Sequence, residues 1–263
     1  MKLNQFTLLT SVVCLGILSA CNGNKPYTIT GTLDLPAQIP YGDTVIDMPS
    51  FEGTWVYLLD FNSQLLDSAQ IVDNTFKFTG EVDSDDTYFV QLVSQIGSTL
   101  LVVEPGDIEV YMNPDIVVSG TPSNDAMSDI DAALENLNSD TYEYLSQLTD
   151  SLRTTGEEVP EETQMKIFEE FRQTMINILD SAYNANKGNQ AAAYAVIMRH
   201  MDVQSADEFE KAMEAYPKSI QENELVQVNL RTMRQYEMMD TSAVQQIDPS
   251  IFGIEETDAV VEE

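Results

Sequence analysis

The spacing of apolar residues changes once along this chain, near Gly120, and that change constrains the fold more than any other feature. From Tyr27 to Gly120 apolar and polar residues alternate with a period of two, and turn-forming residues recur at short intervals. Alternation at that period buries one face of a strand, and many short strands separated by turns predict an antiparallel sandwich or barrel. The candidate strands run from Tyr27 to Leu33, Thr54 to Asp60, Gln64 to Ile71, Thr75 to Gly80, Tyr88 to Val93, Ser98 to Val103, Asp107 to Met112 and Ile116 to Gly120. Asp73-Asn74 and Pro105-Gly106-Asp107 supply turns between them.

Beyond Gly120 the steps become three and four. Met127, Ile130, Leu134, Leu137, Thr141, Tyr144, Leu148 and Leu152 form one stripe of a long helix, with Ser123 or Asn124 expected to cap it. After a break at Thr154 to Val159, Pro160 opens a second helix, whose stripe is Met165, Phe168, Phe171, Met175, Ile178, Leu179 and Ala182. A third helix is expected over about Gln190 to Met201. Ser205 and Glu208 form a capping box for a fourth that Pro217 ends, and a fifth runs from about Ile220 to Met239. The predicted fold class is α+β: an N-terminal antiparallel β-sandwich over 27–122, followed by a C-terminal antiparallel helical segment or bundle over 123–239. From Asp240 onward the chain carries seven acidic and no basic residues, which predicts an acidic, mobile tail over 240–263.

The first twenty residues read as an address. Lys2 is followed by an apolar run from Phe6 to Leu18 and then by small residues, the pattern of a secretory signal and too short for a good membrane-spanning helix. Leu18-Ser19-Ala20-Cys21 resembles the bacterial lipobox, which implies signal cleavage between Ala20 and Cys21 and lipidation of the Cys21 sulfur. Acyl chains contribute about 0.8 kcal/mol per buried methylene, so two or three hold a domain firmly on a bilayer. Residues 21–26 then form a short polar tether. The expected location is the outer membrane, lipid-anchored and facing the periplasm. With Cys14 lost in the signal and Cys21 consumed by lipid, no free thiol remains in the mature chain.

Charge excludes some partners. With 12 basic and 44 acidic residues the formal charge is −32, and a polyanion such as nucleic acid is repelled over a Debye length of ~8 Å. The acidity is spread along the chain: 21–120 carries 2 basic and 15 acidic residues, and 121–263 carries 9 and 29. It reads as a solvated coat on a core-forming composition.

Several segments together resemble the domain of unknown function 4369, found in lipoproteins of Bacteroides-like bacteria. They are Tyr27-Thr28-Ile29-Thr30-Gly31, Val56-Tyr57-Leu58, Asp67-Ser68, Phe76-Lys77-Phe78-Thr79-Gly80, the Tyr88 strand, Glu104-Pro105-Gly106-Asp107-Ile108, and the entry Val118-Ser119-Gly120-Thr121-Pro122-Ser123-Asn124 into the helices. The resemblance spans about residues 27 to 133, and the helices up to Met239 look like the linker of longer relatives. Such relatives usually continue into a thioredoxin-like domain with a reactive cysteine. Here no cysteine follows position 21, so the expectation is a chain lacking that domain and its thiol chemistry.

Other chemistry is weighed on single residues. His200 is the only histidine, and a zinc site needs three or four donors, so it reads as an ordinary helix residue. Asp83, Asp85 and Asp86 have oxygens suited to calcium, but loop carboxylates at that spacing are usually solvated turn formers. Glu157, Glu158, Glu161 and Glu162 flank a helix start, where the macrodipole favours negative charge. Trp55 and Tyr57 share a strand face that would suit a sugar platform, although a central sandwich strand apolar on both sides is the simpler reading. The long connection from Pro36 to Gly53, with Tyr41, Met48 and Phe51, is the better recognition element. No catalytic residue, metal or cofactor is expected. The function expected is that of a non-catalytic, lipid-anchored envelope protein, a binding or scaffolding module with a protein partner. The alternative is an accessory subunit working in trans with a separate thioredoxin-like oxidoreductase. A hydrolase built on paired carboxylates is a third, weaker reading.

Overall fold

The computed structural model describes residues 23–239, apart from 42–43, 84–85, 114, 154–155 and 157. Strands β1 (Asn24–Leu33), β2 (Gln38–Tyr41), β3 (Thr44–Asp47), β4 (Trp55–Leu59), β5 (Leu65–Gln70), β6 (Thr75–Asp83), β7 (Tyr88–Val93), β8 (Ser98–Val103), β9 (Gly106–Asn113) and β10 (Asp115–Ser119) precede all the helices. One sheet has the order β10-β9-β1-β6, the other β5-β4-β7-β8, and β2 and β3 form a separate hairpin. Alternation decides which side chains meet between the sheets. Ile29, Phe76, Phe78, Ile108, Val110 and Met112 from the first sheet form one buried cluster with Val56, Leu58, Val90, Leu92, Leu101 and Val103 from the second.

The ladder between β1 and β6 shows why two of its segments have the form aromatic-x-x-x-glycine. In antiparallel register Tyr27 lies opposite Gly80 and Gly31 opposite Phe76, so each aromatic ring covers the glycine of the other strand. Glycine is favoured at both positions because a side chain there would occupy the space of the ring.

In one pair the sandwich departs from the antiparallel expectation. β1 and β9 are parallel, with Ile29 beside Ile108 and Gly31 beside Val110. β9 reaches the free edge of β1 only after the chain has crossed to the second sheet and back, so no hairpin imposes a reversal between them. β1 also begins at Asn24, and Asn24, Lys25 and Pro26 pair with Asp83, Val82 and Glu81 where a tether was expected. The connection expected between Pro36 and Gly53 contains the β2–β3 hairpin, tied by Gln38 Nε2 donating to Asp47 Oδ1 at 2.7 Å.

The helices are α1 (Pro122–Arg153), α2 (Glu161–Ala185), α3 (Ala191–Arg199), α4 (Ala206–Met213), α5 (Lys218–Gln221) and α6 (Glu224–Met238). Ser205 caps α4, accepting from the Glu208 N–H. The expected fifth helix is broken at Glu222-Asn223, where the Asn223 side chain accepts from the Leu225 N–H and starts α6 afresh. The helices cover the β7–β8 part of the outer face of the second sheet: Phe89 of β7 and Val102 of β8 pack against Met127 of α1 and Ala191 of α3. Consequently β7 and β8 are apolar on both faces.

The junction between the halves is polar and buried. Gly120 adopts φ +94°, and a Cβ there would stand 2.2 Å from the Asp107 carbonyl oxygen, so glycine alone fits. Its N–H donates to Asp125 Oδ1 at 2.7 Å. Ser123 and Asn124, expected as caps, instead reach back to the sheet. The Ser123 N–H and hydroxyl donate to the buried Glu104 carboxylate at 2.7 and 2.8 Å, and that charge sits favourably at the positive end of α1. Among the described residues no buried side-chain polar atom lacks a partner, and no helix is long and apolar enough to cross a membrane.

Candidate functional site

The feature that the fold leaves unfinished is the seam between α1 and α2. At 1.5 Å per residue α1 is about 48 Å long and α2 about 38 Å, while α3 spans only about 14 Å. α3 lies in the seam at its sandwich end, where Ala195 is buried with Ile130 of α1 and Leu179 of α2, flanked by Leu134, Met175 and Met198. Polar contacts fix it there. The Tyr194 hydroxyl donates to Asp131 Oδ1, and burial followed by that carboxylate pushes the phenol well above its ordinary pKa. Arg199 Nε contacts Asp180 Oδ1 at 3.2 Å.

Beyond α3 the same two rows continue, and among the described residues nothing is laid between them. On α1 the steps of three and four pass from Leu134 through Asn138 and Thr141 to Leu145 and Thr149; on α2 they pass from Met175 through Phe171 to Phe168. With Val159 and Met165 these residues line a groove of about 950 Å³. Phe168 and Met165 are each 67% exposed. The fully buried residues of α1 all lie in its first third, at Ser123, Asn124, Met127 and Ile130. The sequence places Met165 and Phe168 on the core stripe of α2, but a stripe is buried only where a neighbour covers it.

The rim of the groove is acidic. Residues 134–174 carry ten acidic and three basic residues. Lys166 is engaged by Glu170 and Arg172 by Glu169, both within the helix surface. Glu169 lines the groove itself, and Asp150, Glu158, Glu161 and Glu162, close to its lining residues along the chain, have no cationic partner among the described residues. An apolar trough with carboxylates on its banks can bind an apolar face flanked by positive charge.

The residues singled out from sequence fall elsewhere. His200 follows α3, its Nε2 3.0 Å from the Tyr216 hydroxyl, with the Phe209 and Tyr216 rings edge-on to its imidazole. It packs in the helical core. Trp55 and Tyr57 lie on central strand β4, whose Val56 and Leu58 are buried between the sheets, but their outward side chains remain 45% and 37% exposed. The central-strand reading holds for the strand and not for that face. Phe51 packs against the sandwich core, and Met48 lines a small groove with Leu35 and Pro49. Glu161 and Glu162 occupy the first turn of α2, where the macrodipole reading put them. Asp86 N–H donates to the Asp83 carbonyl oxygen, closing a turn. Among the described residues no group of three or more histidine, cysteine, aspartate or glutamate side chains is placed to hold a metal ion. Ala20, Cys21, the signal segment and the acidic tail lie outside the described residues.

The seam was missed in the sequence because its signal is relational. The stripe on α1 and α2 runs for many turns, whereas the next helical pattern offers only about three; the mismatch in length marks apolar surface without a partner.

No curated protein matches the chain. The model of one protein family, described as a domain of unknown function (DUF4369), matches residues 27–127. The matched segment runs from the start of the Tyr27 motif, through both sheets, to Met127 on α1, and so includes the turn in which Ser123 and Asn124 bind back to the sheet. The β-sandwich with the first turns of α1 is therefore a DUF4369 domain.

Proposed function

We propose that this protein is a non-catalytic, lipid-anchored module of the cell envelope that binds or scaffolds another protein. The sandwich serves as its base and the α1–α2 hairpin as its binding arm. The observation that carries this reading is the seam: the two helix rows that enclose α3 near the sandwich run on to the far end of the hairpin, where Leu145, Met165, Phe168 and Phe171 line a groove that no other described element fills. Exposed contiguous apolar surface is uncommon on monomeric soluble proteins unless it meets a partner. The Leu18-Ser19-Ala20-Cys21 sequence supports the anchor, and the three-residue step from Cys21 to Asn24 of β1 would hold the sandwich close to the membrane.

Two measurements test this. Cys21→Ala should move the protein from the pelleted membranes into the soluble fraction, and its retention there would refute the anchor. A photo-crosslinking residue at position 168, introduced in the native cells, should give a discrete protein adduct that the same residue at exposed position 73 does not. Equal yields from both positions would refute the binding arm. A thiol oxidoreductase as the adduct would replace scaffolding by the accessory-subunit reading.

A further inference from the structure

We infer that the open end of the α1–α2 seam receives a cationic amphipathic α-helix of about three turns, supplied by a partner protein. This rests on the binding-arm reading above and specifies what the arm holds.

The first argument is continuity. The seam already takes a helix, because α3 fills its sandwich end with Ala195 buried against Ile130 and Leu179. The groove past α3 is bounded by the continuation of those same two rows, so its width and chemistry suit another helix laid end to end with α3. From Asn138 to Thr149 the groove measures about 16 Å along α1, which matches about three helical turns. Apolar residues at steps of three and four would meet Leu145, Phe168 and Phe171.

The second argument is charge. The helix that occupies the seam, AAAYAVIMR, has no acidic residue, and its single arginine pairs with Asp180 of α2. The open end is flanked along the chain by Asp150, Glu158, Glu161 and Glu162, which have no cationic partners among the described residues. A second copy of this chain would bring an identical acidic rim against the first. The segment 240–263, with seven acidic and no basic residues, would be repelled, and so would an anionic bilayer. A helix with an apolar face and flanking lysines or arginines satisfies both the trough and its banks.

The test uses the mature chain from position 21 to 263, carrying Cys21→Ser, and a synthetic peptide of about fourteen residues in which leucines recur at steps of three and four among lysines. A control peptide has the same composition scrambled to abolish the apolar face. The amphipathic peptide should bind, gain helical circular dichroism on binding, and weaken as salt rises from about 50 to about 300 mM. Phe168→Glu and Met165→Glu should each weaken it at least about tenfold, whereas Val45→Glu on the distant β2–β3 hairpin should change it less than about twofold. Residues 165 and 168 are mostly exposed, and an unchanged melting temperature for either variant qualifies it; Glu161→Lys with Glu162→Lys probes the rim independently and should also weaken binding. Equal binding of the scrambled peptide, or insensitivity to the groove and rim variants, would overturn the inference. So would self-association of the unliganded protein that Phe168→Glu abolishes, since the occupant would then be a second copy. Failure of the peptide with a persistent crosslink from position 168 in cells would sink the cationic helix and leave the binding arm standing; loss of both would remove the arm as well.

Discussion

The side-chain amide of Asn124 pairs with the backbone of Val102 as a second strand would. Its Oδ1 accepts from the Val102 N–H at 2.9 Å and its Nδ2 donates to the Val102 carbonyl at 2.8 Å. Val102 lies on β8, the edge of its sheet, and both residues are buried. An open strand edge is a template for unwanted pairing, and here the first turn of α1 closes it near the C-terminal end of β8. The same amide also donates to the Thr121 hydroxyl at 2.8 Å, which fixes its orientation.

Asn124→Ala should therefore destabilise the protein by about 2–4 kcal/mol, because it strands a buried donor and a buried acceptor together. Urea denaturation measures the loss, and hydrogen exchange at the Val102 amide locates it. Unchanged protection of that amide in the variant would show that Asn124 is not what closes the edge.

Gly31 and Phe76 make a second prediction. A Cβ on Gly31 would come within 2.0 Å of the Phe76 ring, which is buried in the sandwich core. Gly31→Ala forces that ring out of its place and should cost about 3 kcal/mol, at the upper end of ordinary overpacking. Adding Phe76→Leu should recover part of the loss on the Gly31→Ala background, although Phe76→Leu alone destabilises. Simple additivity of the two substitutions in thermal melts would refute the direct coupling.

His200 sets a pH dependence. Burial in the helical core, and then the neighbouring Arg199, lower its pKa from 6.5, with Asp202 and Asp180 partly offsetting them. The folded state therefore binds fewer protons than the unfolded state below pH 6.5, and the stabilisation is lost as pH falls through that value toward the folded pKa. Because His200 is the only histidine, urea midpoints between about pH 7.5 and pH 5.5 should decline in the parent and decline less in His200→Gln. Parallel declines would assign the effect to other groups.

Local patterning was highly legible. β7 and β8 occupy the expected residues, Ser205 caps α4 as its spacing with Glu208 required, and α1 ends at Arg153 with α2 beginning at Glu161. The β2–β3 hairpin was less so: Gly42-Asp43 separates two short β-prone runs, but Pro40 within the first run argues against a strand. Ser123 and Asn124 misled for a specific reason. Both are good caps, and a cap's hydrogen-bonding capacity serves equally to bind a sheet edge when one lies within reach, as Glu104 and Val102 do.

By itself, the sequence determined where strands give way to helices, which face of each is apolar, and how strongly acidic the surface is, because these follow from period and composition. The tertiary structure alone decided that β1 and β9 run parallel, that the Asn124 amide closes β8, and that the seam is filled near the sandwich and open beyond it. Periodicity says that a stripe is apolar, but burial needs a neighbour long enough to cover it. The nine residues of α3 stop well short of the ends of α1 and α2.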